Sequence, residues 1–315
     1  MRRALIVGID EYPNCPLTGC VADARRLTGV LARHRSGRLN FQCDTVTAPA
    51  DTVTRSLLRE KLYRLFRDDA EAAFFHFSGH GTSNNLGGHL ITPDGSEFDP
   101  GISMAEILAL ANQSPVRDIF ITLDCCHSGL FGAVPAISNE GVFLKEGISV
   151  ITATRAGQEA LEEGGGGIFT SLLVEALEGG AADILGNISA ASVYAYIDNA
   201  LGAWDQRPLF KAHVSSFTRM REAAPRVEHG LLLKLPDYFP LPAEELPLCP
   251  DYEPDAEPHD EDKERIFRHL QSLRYAGLVE PKGALHMYHA AIQSKACALT
   301  TLGKYYWRLV KEGKL

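Results

Sequence analysis

The strongest constraint on this chain is an order of alternation. Short apolar runs recur between segments whose apolar residues repeat at helical spacing, through the first two thirds of the sequence. Runs at 4–9, 73–77, 119–123 and 148–153 are too short for buried helices and rich in β-branched and aromatic residues, so they read as strands. Weaker strands are expected at 42–47 and near 209–214. Between them, residues 21–34 place Val21, Ala24, Leu27, Val30 and Leu31 on one face, and residues 54–66 do the same with Leu57, Leu58, Leu62 and Leu65. Helices are also expected at 103–112, 169–177 and 191–201. Strand and helix taking turns in this way predict an α/β fold with a mostly parallel sheet and crossover helices.

Composition narrows the surroundings. The chain has 315 residues, 45% hydrophobic and 23% charged, enough for one large domain with an appendage or for two domains. A net charge of −9 gives no overall field toward nucleic acid or an anionic membrane. No run of about 18 apolar residues is present, which excludes a membrane-spanning helix. The opening Met1-Arg2-Arg3 has the look of a signal peptide, but its apolar stretch ends at Asp10, short of the roughly 7–15 residues such a segment needs, and a buried strand is the better reading. Seven cysteines, odd in number and including the adjacent Cys125 and Cys126, predict free thiols and a reducing cytoplasm.

The texture changes near residue 225. Between 236 and 258 the chain is crowded with acidic residues and with Pro240, Pro242, Pro247, Pro250, Pro254 and Pro258, which exclude long helices and central strands. The expected division is a domain of residues 1–223, a proline-rich acidic linker or wrapped arm at 224–258, and a small module at 259–315. In that last part Lys and Arg outnumber Asp and Glu. It reads as a helix at 264–275, a polar hairpin-like stretch at 281–295 and a helix at 304–311, in an order resembling half of a winged helix.

Two strand ends carry the chemistry. One runs into Ser78-Gly79-His80-Gly81, the other into Asp124-Cys125-Cys126-His127-Ser128-Gly129. Sites in open parallel sheets assemble at the carboxyl ends of strands, and neighbouring strands would bring these two tips together. A thiolate needs a base or cation beside it, and a histidine can also protonate a leaving amine.

Ser-Gly-His-Gly after one strand and Asp-x-Cys-His-Ser-Gly after the next resemble the caspase-like cysteine peptidases, closer to the metacaspases and their bacterial relatives than to animal caspases. Gly19-Cys20-Val21-Ala22-Asp23-Ala24 is similar to the first-helix signature of that family, and Phe169-Thr170, residues 179–186 with Asp183, and Gln206-Arg207-Pro208 are similar to its small-subunit segment. The resemblance covers about residues 1–220. It implies a three-layer sandwich around a six-stranded, mostly parallel sheet, and a hydrolase acting on protein or peptide substrates. His80 is then the acid and base, Cys126 the nucleophile, and the backbone N–H groups of Gly81 and Cys126 the oxyanion hole. The motif leaves Cys125 as a small buried hydrophobe. His76 and His127 are packed neighbours and His89 a loop residue.

The same resemblance lines the pocket for the residue before the scissile bond with Cys20, Asp23, Ser78 and Asp124. Two carboxylates there suit guanidinium or ammonium, whereas animal caspases place glutamine at the Asp124 position and accept aspartate. Cleavage after Arg or Lys is the expectation. Lys145 and Arg155 are candidate processing sites. Many metacaspases need calcium, but Asp94, Glu97 and Asp99 are a thin acidic set, so no metal or other cofactor is expected. Gly164 to Gly167 lack the Lys-Ser/Thr of a phosphate-binding loop and read as a flexible loop. Residues 259–315 are read as contacting a sensor, effector or regulatory protein, by analogy in bacterial defence or programmed death, with nucleic acid a lesser candidate. The competing readings are a catalytically silent scaffold and a nucleic-acid-sensing regulator with a peptidase output.

Overall fold

Strand periodicity of two divides each central strand between two apolar layers. The computed structural model describes residues 1–47, 53–84, 87–126, 144–153, 162–163, 166–201, 208–215, 218–255, 257 and 259–315. They form two units, Met1–Ala182 with Asn187–Ala224, and Asp183–Gly186 with Pro225–Leu315.

In the first unit the chain runs β1 (Arg2–Gly8), α1 (Cys20–Leu31), β2 (Gln42–Val46), α2 (Arg55–Arg67), β3 (Ala72–Asn84), β4 (Gly87–Ser96), β5 (Asp99–Ser103), α3 (Met104–Gln113), β6 (Asp118–Cys126) and β7 (Ile148–Thr152). It continues through the short β8 (Glu162–Glu163) and β9 (Gly166–Gly167), α4 (Ile168–Glu175), a wide turn at Ala176–Gly180, β10 (Asn187–Ile188), α5 (Ala190–Ala200), β11 (Leu209–His213) and β12 (Arg221–Glu222). The main sheet has the order β11-β7-β6-β3-β1-β2, parallel except for β11 at its edge. This is the expected mixed α/β architecture with a largely parallel sheet.

Leu5, Val7, Phe75, Phe77, Ile119, Ile121 and Leu123 pack with Leu58 and Leu62 of α2 and Ile107 of α3. Their alternates Ala4, Ile6, Phe74 and Phe120 pack with Ala24 and Leu27 of α1, Phe169 and Leu173 of α4, and Val193 of α5. Helices therefore cover both faces, and all these side chains are at most 4% exposed. Each fully buried side chain of this size contributes roughly 1.5–3 kcal/mol, so a one-residue slip in any strand would exchange the two layers at large cost.

The third strand departs from expectation. Instead of ending near residue 77, β3 runs on through the Ser-Gly-His-Gly motif to Asn84 and pairs with β4, which pairs with β5. Periodicity does not reveal this extension because residues 78–84 carry no apolar alternation.

The second unit contains α6 (His229–Leu232), α7 (Leu235–Tyr238), β13 (Glu245–Pro247), a helical turn at Pro250–Tyr252, α8 (Glu261–Tyr275), β14 (Val279–Lys282), α9 (Met287–Ile292), β15 (Ala296–Leu299) and α10 (Thr301–Lys311). Its sheet is antiparallel in the order β13-β15-β14. Two expectations change here. The linker alternative gives way to an arm packed into this unit from Pro225 on: Leu232, Leu235, Phe239 and Leu248 share its core with Phe267, Leu270, Leu273 and Leu299, and β13 is an edge strand, the place where proline is tolerated. The stretch 281–295, expected as a polar hairpin, holds α9, whose Met287, Ala290 and Ala291 are buried. Asp260 and Thr300 cap α8 and α10 by accepting from the Lys263 and Gly303 N–H groups, and the Trp307 indole donates to the Phe239 carbonyl at 2.6 Å.

Candidate active site

The parallel register of β3 and β6 pairs Ser78 with Asp124, Gly79 with Cys125 and His80 with Cys126. Alternation puts Phe74, His76, Ser78 and His80 on one face of β3, and Phe120, Thr122 and Asp124 on the same face of β6. That is the face covered by α1 and α4. Cys125 takes the opposite face, fully buried in the α2 and α3 layer, as expected of a small core residue. Cys126 closes β6; its side chain and residues 127–143, with His127, lie outside the described residues.

His80 is held from the loop that follows β1. Its Nε2 donates to the Cys15 carbonyl at 2.7 Å, which leaves Nδ1 of the neutral ring as the basic nitrogen. Its backbone N–H donates to the Tyr12 hydroxyl at 3.0 Å, and the two rings lie 4.6 Å apart. The loop is itself anchored by Asp10. Helix α1 begins after Gly19 without a side-chain cap of its own, and the Asp10 carboxylate takes the Cys20 N–H at 2.7 Å. Sequence motifs name His80 but nothing that orients it, because a backbone carbonyl leaves no signature and Tyr12 lies 68 residues away. Gly81, the other oxyanion-hole candidate, is buried in register with Leu90.

The four pocket candidates converge. Cys20 and Asp23 lie in the first turn of α1, Ser78 in the middle of β3 beside Asp124 near the end of β6, and all are at most 7% exposed. Burial pushes the Cys20 thiol far up; the Ser78 hydroxyl opposes this, and Asp10, Asp124 and Asp23 reinforce it. Such a thiol stays protonated and is a poor nucleophile.

The two carboxylates meet the start of α4. Asp23 Oδ2 accepts from the Gly167 N–H at 2.8 Å, and its Oδ1 lies 3.4 Å from the Arg26 guanidinium. Asp124 Oδ2 accepts from both the N–H of Thr170 at 3.1 Å and its hydroxyl at 2.7 Å. The N–H groups at the start of α4 thus hold both buried carboxylates in place. Any larger residue at 167 would collide, since a Cβ there would lie 2.2 Å from Asp124 Oδ2. The glycine run thus includes a close-packed position: Gly166 and Gly167 form β9, paired with β8, whereas 164 and 165 lie outside the described residues.

The remaining candidates are placed apart. The Lys145 ammonium donates to the Ser114 and Val116 carbonyls at 2.6 and 2.8 Å, just beyond α3, and its N–H donates to Asn112 Oδ1. Arg155 lies outside the described residues. Asp94 accepts from the Arg55 backbone N–H and Asp99 pairs with the Arg55 guanidinium. Among the described residues no group of three His, Cys, Asp or Glu side chains could hold a metal ion. His89 is a β4 residue opposite Thr82, where a loop was expected. His76 is fully buried with Nδ1 2.9 Å from the Thr122 hydroxyl. Cys15, Cys20, Cys43, Cys249 and Cys297 are in no disulfide, and no helix among the described residues is long and apolar enough to cross a membrane.

A family model described as "Caspase domain" matches residues 1–215. Among solved structures, a Geobacter sulfurreducens protein is similar to this chain at 17% identity with a TM-score of 0.52, covering 71% of this chain and 99% of its own. Caspase-1 from Spodoptera frugiperda shows 12% identity and a TM-score of 0.49, over 70% of this chain and 90% of its own. No curated protein matches.

Proposed function

The chain belongs to the caspase domain family, which has a cysteine peptidase-type fold, and from that premise we propose that it is an endopeptidase working through His80 and Cys126. The observation that carries this reading is their register: the two residues are direct neighbours across parallel strands. With Nε2 committed to the Cys15 carbonyl, Nδ1 of His80 is the nitrogen left to take the Cys126 proton and later return it to the leaving amine. The thiolate attacks the scissile carbonyl, and the backbone N–H groups of Gly81 and Cys126 take up the negative charge that develops on oxygen.

The pocket formed by Cys20, Asp23, Ser78 and Asp124 supports cleavage after Arg or Lys. Two buried carboxyl groups beside Cys20 favour a cationic side chain over an acidic one. A water molecule, giving up a proton to His80, then hydrolyses the acyl-enzyme and frees the Cys126 thiol, so the proposed reaction needs water but no cofactor. The second unit, with its own core, is proposed to recruit a protein partner.

The test is a peptide-library digest comparing wild type with Cys126→Ala, each with and without calcium. Cleavage after Arg or Lys by wild type only, indifferent to calcium, is the expected outcome. Equal patterns from both proteins would reject the assignment and leave a silent scaffold as the better reading.

A further inference from the structure

Strand β1 leaves the sheet two residues short of His80. Its last register pair is Gly8 with Ser78, and the Ile9 N–H still reaches the Ser78 carbonyl at 3.0 Å. Residues two apart in a strand present their N–H and C=O groups to the same edge. The His80 N–H therefore faces the edge that β1 has just vacated, and this half-buried backbone donor needs another acceptor. Tyr12 supplies it, with Oη accepting at 3.0 Å.

We propose that Tyr12 is a positioning residue for His80, its hydroxyl replacing the missing strand partner and its ring setting the plane of the imidazole. This rests on the reading of His80 as the acid and base of the proposed peptidase. Three further observations support it. The Tyr12 ring is 8% exposed and lies 4.6 Å from the imidazole, inclined at 56°. Its hydroxyl donates onward to the Ile91 carbonyl of β4 at 3.4 Å, so it bridges β3 and the hairpin strand beside it. Gly79 leaves room for that oxygen: a Cβ on residue 79 would stand 2.5 Å from Tyr12 Oη.

The loop thus grips His80 at two points, backbone through Tyr12 and Nε2 through Cys15. Neither grip touches substrate. Their effect is to remove freedom from the imidazole before the reaction begins, which lowers the barrier without changing affinity.

The experiment uses the full chain with Tyr12→Phe, Gly79→Ala and His80→Ala. It reads kcat and KM on an Arg-terminated fluorogenic peptide, the melting temperature, and the rate of Cys126 alkylation by iodoacetamide, which needs no substrate recognition. Tyr12→Phe keeps the ring and removes the acceptor. The expected result is a fall of about three- to tenfold in kcat and in alkylation rate, with KM within about twofold. Gly79→Ala, which crowds the same oxygen, falls at least as far. If Tyr12→Phe matches wild type, or raises only KM, while His80→Ala is inactive, the positioning role is overturned and the dyad stands. If His80→Ala retains wild-type kcat and alkylation, the dyad reading falls and the role of Tyr12 falls with it.

Discussion

His80 and Cys126 stand opposite one another on neighbouring parallel strands, although 46 residues separate them in sequence. The pairing depends on Ala72 meeting Asp118 at the other end of the same ladder, eight positions earlier. Register in the buried part of the sheet thereby sets the meeting of the two residues at its rim.

The first expectation concerns the two adjacent cysteines. Cys126→Ala and His80→Ala are expected to lower kcat/KM by a hundredfold or more, on the order of what a nucleophile or general base supplies. Cys125→Ala, which only trims the α2 and α3 layer, should stay active with a lower melting temperature. Peptide hydrolysis and thermal melting decide the matter, and an inactive Cys125→Ala beside an active Cys126→Ala would reverse the assignment.

Specificity and structure should separate at the acidic pair. Asp124→Asn removes a charge, and kcat/KM for Arg-terminated peptides should drop about ten- to hundredfold. Thr170→Val removes the hydroxyl that donates to Asp124, so it should lower the melting temperature while keeping the preference for Arg over Asp. An unchanged Arg to Asp ratio in Asp124→Asn would rule out this carboxylate as the selector.

Lys145 is expected to behave as an anchor. Its ammonium holds two carbonyls beyond α3, so Lys145→Ala should lower the unfolding free energy by about 1–3 kcal/mol. Cleavage after it would require pulling the side chain from this seat. N-terminal sequencing of any self-processed fragments should find the bond to Glu146 intact, and a fragment beginning at Glu146 would show the seat is no barrier.

Acid sensitivity follows from His76. Burial brings its imidazole from 6.5 down to about 3, so the folded protein holds it neutral while the unfolded chain binds a proton. Its contribution to stability is complete above pH 6.5 and is lost as pH falls through the window toward 3. In His76→Leu the slope of unfolding free energy against pH in that window should flatten, by up to about 1.4 kcal/mol per pH unit. Chemical denaturation at several pH values measures it, and parallel slopes would exclude His76 as the source.

Truncation discriminates between two boundaries. A fragment of residues 225–315 retains Leu232, Phe239, Leu248 and β13, whereas one of residues 259–315 exposes their partners Phe267, Leu270 and Leu299. Cooperative unfolding is expected of the first fragment alone, and circular dichroism melts compare them. Equal cooperativity in the shorter piece would show that residues 225–258 are dispensable.

Features that repeat over a few residues or sit in contiguous motifs were legible in the chain alone. Short apolar runs marked β1, β3, β6 and β7, helical spacing marked α1, α2 and α3, and the motifs around His80 and Cys126 were readable without coordinates. Such signals are local, since one strand or helix places its own apolar side. What only the tertiary structure decided are relations between distant segments. The Cys15 carbonyl and the Tyr12 hydroxyl on His80, Asp10 at the start of α1, and Gly167 and Thr170 on the acidic pair join residues 10 to 144 positions apart. The proline-rich stretch shows the same limit. Its prolines exclude long helices, but Leu232, Phe239 and Leu248 enter a core only once α8, β15 and α10 are folded against them. Such contacts follow from register and chain closure, which the packing of the whole chain sets and no short window of sequence contains.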